Sequence, residues 1–208
     1  MKPDYIIWKI TESEEELLAQ LSHPELFADK IQRLKAGSRR MLEVLAVRRA
    51  LKELLYGEER EVLYTEDGAP YLEGGPYLSI SHTDGYAAVI TSDVPTGIDI
   101  ERIGQRVQKV VSHFLRREEQ VVLNLATENC QLPAINYQLC LHLAWSAKEA
   151  AFKILGKAFY DLQNRTTVQH IDWSSKILIL AAEGQTIPLQ IHFDFTDEYV
   201  LTWVQQKE

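Results

Sequence analysis

Residues 77–103 constrain the fold more than any other stretch. YLSISH (77–82), YAAVITS (86–92) and GIDIERI (97–103) are short runs rich in β-branched residues. Turns at Thr83-Asp84-Gly85 and Asp93-Val94-Pro95 separate them, and Pro95-Thr96-Gly97 turns into the third. This pattern predicts three strands joined by tight connections. In the third run, Asp99 and Glu101 alternate with Ile98, Ile100 and Ile103. Alternate side chains on a strand share a face, so the two carboxylates sit side by side, their α-carbons roughly 6.5–7 Å apart. Like charges that close repel, and burial raises the pKa of at least one unless a cation lies between them. Taken alone, the alternation fits a strand edge with its acids turned to water.

The flanking sequence predicts an α+β chain. DYIIWKI (4–10) is an expected strand. ESEEELLAQL and PELFADKIQRLKA are expected short helices, and residues 38–55 form a longer one with Ser38 as N-cap. EVLYT (61–65) is an expected strand before a Glu66-Asp67-Gly68 turn. Helices are expected at about 105–113 and 116–127, and a long one from about Pro133 to Leu155. Strands follow at 176–183, 187–195 and 198–204. Thr83-Asp84-Gly85-Tyr86 before AAVI is echoed by Thr196-Asp197-Glu198-Tyr199 before VLTWV, a faint sign of duplication.

Composition excludes several classes. No apolar run approaches the roughly 20 residues of a membrane helix. The N-terminus lacks a signal-peptide core, so the expected location is cytoplasmic. Cys130 and Cys140 are too few for a disulfide framework and lack metal-ligand spacing. A net charge of −8 argues against nucleic-acid binding. Yet residues 30–52 hold Lys30, Arg33, Lys35, Arg39, Arg40, Arg48, Arg49 and Lys52, with Glu43 as the only acid. Residues 102–117 hold Arg102, Arg106, Lys109, Arg116 and Arg117 with no acid. Such stretches are either solvated helix faces or the cradle of a phosphorylated ligand.

WSAKEAAFKILGK (145–157) falls in the long helix, with Lys148, Glu149 and Lys153 between apolar residues. Glu149 could close a capping box with Ser146, although the apolar pattern continues upstream and leaves Ser146 mid-helix. It could pair with Lys153 at i, i+4. It could also complete, with Asp99 and Glu101, a site for a hard divalent cation, which prefers carboxylates and phosphate oxygens. His82 ends an alternating strand just before a turn, a position that is structural as readily as ligand-binding.

The order S-I-S-H, G-I-D-I-E, W-S-A-K-E-A-A-F-K, spread over residues 79–157, resembles the 4′-phosphopantetheinyl transferases of the larger, surfactin-synthetase-activating type. The resemblance implies two fused copies of a small α+β domain, here residues 1–103 and 104–208, packed as one body with the site in the cleft between them. It implies transfer of phosphopantetheine from coenzyme A to a carrier-protein serine, with release of 3′,5′-ADP. Asp99, Glu101 and Glu149 would then hold Mg²⁺, with Mn²⁺ as the alternative. Glu149, Lys153 and Asp99 would be catalytic. Lys30, Arg33, Arg39, Arg40, Arg48, Ser81, His82, Lys148 and Lys153 would contact coenzyme A. Arg116, Arg117 and Phe159 are the candidate contacts to an acyl or peptidyl carrier protein, and the enzyme is expected to be a monomer.

Two short stretches depart from the family pattern. Ala69 stands in Gly68-Ala69-Pro70 where a lysine is common, and Ala158-Phe159 follow Gly156-Lys157 where Gly-Leu is common. Glu119 matches a recurring family acid without an assigned role. The competing readings are another Mg²⁺-dependent phosphoryl transferase or phosphohydrolase, and a non-catalytic coenzyme A- or carrier-binding module.

Overall fold

A computed structural model describes residues 4–128 and 136–206. Cys130 and Pro133 lie outside the described residues. The chain forms two compact units, 1–96 and 97–208, both mixtures of helix and antiparallel strands.

The first unit opens with strand β1 (Asp4–Lys9), helices α1 (Glu14–Ala19) and α2 (Ala28–Gln32), and the long α3 (Arg39–Leu54). The Ser38 hydroxyl caps α3 by accepting from the Met41 amide at 3.2 Å. Strands β2 (Leu63–Tyr64) and β3 (Pro70–Tyr71) form a minimal hairpin. It is shorter than the expected 61–65 strand, although the Thr65 amide still donates to the Ala69 carbonyl at 3.0 Å across the turn. Strands β4 (Tyr77–Thr83) and β5 (Tyr86–Ser92) complete a three-stranded antiparallel sheet in the order β1-β5-β4. Ala46, Val47, Ala50 and Leu51 of α3 pack on Leu78, Ala87 and Val89 of that sheet.

The second unit begins with strand β6 (Thr96–Arg102). Thr96 and Gly97 are strand rather than turn, and β6 neighbours the C-terminal strand. The GIDIERI run therefore belongs to the second unit, and the boundary lies before it rather than at 103. Short helices α4 (Arg106–Lys109) and α5 (Val111–Phe114) replace the single helix expected there. They are followed by α6 (Arg117–Glu128), α7 (Tyr137–Leu155) and α8 (Leu162–Arg165). The strands β7 (Thr166–Asp172), β8 (Ile177–Ala182), β9 (Leu189–Phe195) and β10 (Tyr199–Gln205) join β6 in the order β6-β10-β9-β8-β7. Strand β7 is absent from the sequence expectations. A bulge between Val168 and His170 breaks its two-residue period, so its buried Val168 and Ile171 are three apart.

Helix α7 is the spine of this unit. Asn136 caps it by accepting from the Leu139 amide at 2.9 Å, and Gly156 ends it at φ +80°. Leu139, Leu143, Ala144 and Ala147 bury against Leu178, Leu180, Ile191 and Phe193. The capping box considered at Ser146 does not form, because Ser146 lies well inside α7. Its hydroxyl instead meets Thr202 Oγ1 at 2.9 Å and donates to the Asp99 carbonyl at 3.3 Å, tying α7 to β10 and β6.

The backbone of α7 comes close to that of β6 at Gly97. A Cβ there would stand 2.1 Å from the carbonyl oxygen of Ala150, which is backbone and cannot rotate away. Glycine is required here by close approach rather than by an unusual φ. Gly97→Ala should therefore cost at least about 2 kcal/mol, as forced overpacking does. Chemical denaturation of the variant measures this, and unchanged stability would mean that the helix does not ride on the strand as described.

Candidate active site

The face of β6 toward α7 carries the acids. Asp99 is 5% exposed and Glu101 is half-buried, so the water-facing strand edge that alternation allows is not the arrangement found. Trp145, Glu149 and Lys153 are four residues apart on α7 and so share one face. Trp145 Nε1–H donates to Glu101 Oε1 at 2.9 Å. Lys153 Nζ donates to Asp99 Oδ1 at 3.1 Å and to the Ile98 carbonyl at 2.6 Å. The hydrogen-bond partners of Lys153 thus lie on the strand, while its charge also acts on Glu149 one turn away.

Charge is not balanced in this cluster. Burial, and then the charge of Asp99, push Glu101 up to about 7, with Glu149 adding to the rise; Trp145 and Arg106 oppose it. Burial and Asp99 also raise Glu149, against the pull of Lys153. Three carboxylates share one ammonium, and two of them hold their protons more tightly than in water. An all-carboxylate oxygen set short of positive charge suits a hard divalent cation in chemistry. Among the described residues, however, no three acidic, His or Cys side chains converge in ligand geometry. Lys153 occupies one Asp99 oxygen instead.

The first unit holds a second cluster. A cavity of about 150 Å³ is lined by Arg40, Glu43, Arg48, Tyr64, Ile80 and His82, among others. Glu43 is buried at its centre. It accepts from Arg39 Nε at 2.8 Å and Arg40 Nη1 at 3.2 Å, and it meets His82 Nδ1 at 3.2 Å. Arg40 also contacts His82 Nε2. Arg48 is buried beside Tyr64, its pKa lowered by desolvation, and its Nε has no hydrogen-bond partner among the described residues. A buried guanidinium with a spare donor is a ready anion contact. Lys30 stacks its ammonium 4.1 Å from the Tyr64 ring centre. Arg39 extends outward to Asp84 at 3.5 Å, and Arg33 is exposed. Ser81 is buried and does not line the cavity, because it alternates with Ile80 and His82 along β4.

Two sequence candidates are committed elsewhere. Lys148 is fully buried. Its Nζ lies 2.8 Å from Glu119 Oε1 and donates to the carbonyls of Phe114 (2.6 Å), Thr166 (3.1 Å) and Leu162 (3.3 Å). Four acceptors for three donors leave nothing for a phosphate. Glu119 also accepts from the amides of Val168 and Arg116 at 2.8 and 2.9 Å, which gives this acid a structural role. Arg116 bonds Thr167 and lies 3.5 Å from Glu118. Arg117 is exposed and Phe159 half-buried. Glu43, Tyr64 and Trp145 were not expected as site residues. The available signals were a lone acid in a basic run for Glu43 and the tryptophan opening the W-S-A-K-E motif; Tyr64 carried none.

The sequence model of the 4′-phosphopantetheinyl transferase superfamily matches residues 95–204. The chain is 30% identical over 129 residues to 4′-phosphopantetheinyl transferase gsp of Aneurinibacillus migulanus, covering 61% of this chain and 52% of that protein. It therefore spans about half the length of this relative. It is also 30% identical over 178 residues to enterobactin synthase component D of Escherichia coli O157:H7, covering 82% of this chain and 79% of that protein. The Shigella flexneri protein of the same name matches equally.

The raised Glu101 carries a stability signature. Between pH 4.5 and about 7 the unfolded state has released this proton and the folded state has not, so stability falls as pH rises through that window. Glu101→Gln should thus gain on the parent by roughly 1–3 kcal/mol on going from about pH 4.5 to about pH 7.5 in metal-free buffer. Thermal melts across pH test this, and a gap that does not change with pH contradicts the raised carboxyl.

Proposed function

The chain belongs to the 4′-phosphopantetheinyl transferase superfamily, and we propose that it moves 4′-phosphopantetheine from coenzyme A to a serine of an acyl or peptidyl carrier protein. The observation that carries this reading is the meeting of Asp99, Glu101, Glu149 and Lys153 on β6 and α7. In the reaction the serine oxygen attacks the β-phosphorus, the bond to the α-phosphate oxygen breaks, and 3′,5′-ADP leaves. Such a transfer depends on placement and charge neutralisation more than on covalent catalysis.

Asp99, Glu101 and Glu149 are the residues that would hold Mg²⁺, or Mn²⁺ in its place. The bound cation would neutralise the pyrophosphate and lower the pKa of a coordinated hydroxyl. Glu149, with its raised pKa, is suited to take the serine proton. Lys153 would trade part of its contact with Asp99 for phosphate charge. In the first unit, Arg40, Arg48 and His82 suit the phosphates of the nucleotide end, with Lys30, Arg33 and Arg39 as outer cations. Lys148 is left out of this set, since its donors are all engaged. Arg116, Arg117 and Phe159 remain candidates for the carrier. On this reading the two units are copies of one small domain, and the enzyme works as a cytoplasmic monomer without nucleic acid or membrane.

The deciding experiment is a mass spectrum of a carrier protein incubated with the enzyme, coenzyme A and Mg²⁺. The carrier should gain the phosphopantetheine mass. Coenzyme A consumed without mass gain would mean a phosphohydrolase, and no change in either would mean a binding module. Glu149→Gln should slow transfer by about 10²-fold or more and leave the fold intact. Arg48→Ala should weaken coenzyme A by about 1.5–3 kcal/mol, more than it weakens dephospho-coenzyme A, in a calorimetric titration. Equal losses for both ligands would move Arg48 away from the 3′-phosphate.

A further inference from the structure

His142 is buried on α7, two turns before Glu149, and plays no part in the chemistry above. Its two ring nitrogens have opposite duties. Nδ1 is 2.8 Å from the carbonyl oxygen of Gln138, which can only accept. Nε2 is 3.0 Å from the amide of Gly104, which can only donate. Only the neutral tautomer with its proton on Nδ1 satisfies both. Gly104 is held from its other side as well, because Gln138 Nε2 donates to its carbonyl at 3.2 Å. The preceding residue, Ile103, donates its amide to the Glu198 carbonyl at 2.9 Å. The exit of β6 is thus clamped to α7 two residues beyond Arg102. Two residues further on stands Arg106, whose charge acts on Glu101.

We infer that His142 is a positioning residue: its neutral ring fixes where β6, the strand that carries Asp99 and Glu101, ends against α7, and protonation of Nε2 releases that clamp. A proton on Nε2 would set two donors against each other at 3.0 Å, so the Gly104 bond must break. Burial lowers the pKa of the ring, while its two backbone bonds raise it, and no side-chain charge contributes. The charged residues on the segments packed beside it include Arg102 at the end of β6, Arg106 and Lys109 on α4, Arg117, Glu118, Glu119 and Glu128 on α6, and Asp197 and Glu198 before β10. Arg102, Arg106 and Asp197 face water and Glu198 is half-buried. The ring therefore stays neutral within the usual histidine range and charges only in more acidic solution. The clamp itself does not depend on the transferase reading; its consequence for transfer does.

The test is an NMR titration of the full chain, without ligand, from about pH 8 to about pH 5. The His142 ring nitrogens should report the Nδ1–H tautomer at the alkaline end. The Gly104 amide should shift with the same midpoint as the ring, below the ordinary histidine value. His142→Gln, which keeps an acceptor but cannot titrate, should abolish the Gly104 shift. In transfer assays the variant should keep several-fold more of its alkaline rate at about pH 6 than the parent does. An Nε2–H tautomer, or a Gly104 amide that ignores the ring, overturns the inference. If His142→Gln does not fold, the parent titration alone still decides. If the protein transfers nothing, the clamp stands or falls on the amide while the transferase reading fails separately.

Discussion

The second unit is organised around a backbone-to-backbone approach. Where α7 crosses β6, the Ala150 carbonyl lies closer to Gly97 than any side chain would permit. Ala147, Ala150 and Ala151 are all fully buried along this stretch of the helix. Small residues at the crossing let long ones reach across it on either side. Trp145 can then bond Glu101 and Lys153 can bond Asp99. A bulkier seam would hold the helix away, and these polar side chains would find water instead. The acids are buried because the helix is close, and burial raises the pKa values of Glu101 and Glu149.

Lys148 and Lys153 illustrate how one motif serves two purposes. Five residues apart on a helix, they point about 140° away from each other. Lys148 enters the core, where burial lowers its pKa, and Glu119 with three carbonyls satisfies its charge. Such a pair is costly to break, since either partner alone would be an uncompensated buried charge. Lys153 lies at the margin, a quarter exposed, in a cluster with more negative than positive charge. The first is saturated and structural. The second can exchange partners, which is the property a phosphate or metal site needs.

The first unit handles charge differently. Buried Glu43 gathers Arg39, Arg40 and His82 around one carboxylate, so the basic run of α3 is partly neutralised from within. Arg48, buried with an unpartnered Nε, is the exception. An unmet donor of that kind costs stability until an anion supplies the missing bond. This is the sense in which the basic stretch is more than a solvated face, while Arg33 on the exposed C-terminal end of α2 remains one.

Much of this protein was legible from its sequence. Alternating runs marked β4, β5 and β6, helical periodicity marked α3 and most of α7, and Ser38 marked a helix start. The strand period paired Asp99 with Glu101 and the helix period paired Glu149 with Lys153, because such periods are local properties of the backbone; that the two pairs belong together was implied only by the family resemblance. Other features were not legible. Strand β7 was hidden by a bulge, and Gly97 resembled a turn glycine until the Ala150 carbonyl was seen above it. Lys148 looked like a ligand contact because nothing in WSAKEAAFK reveals which face is core. His142 and Glu119 gained their roles from Gly104, Val168 and Lys148, far from them in the chain. Local pattern determines which residues share a face. Only tertiary packing decides which face is buried and which partners wait there, because burial and charge depend on contacts between segments that the chain order does not place side by side.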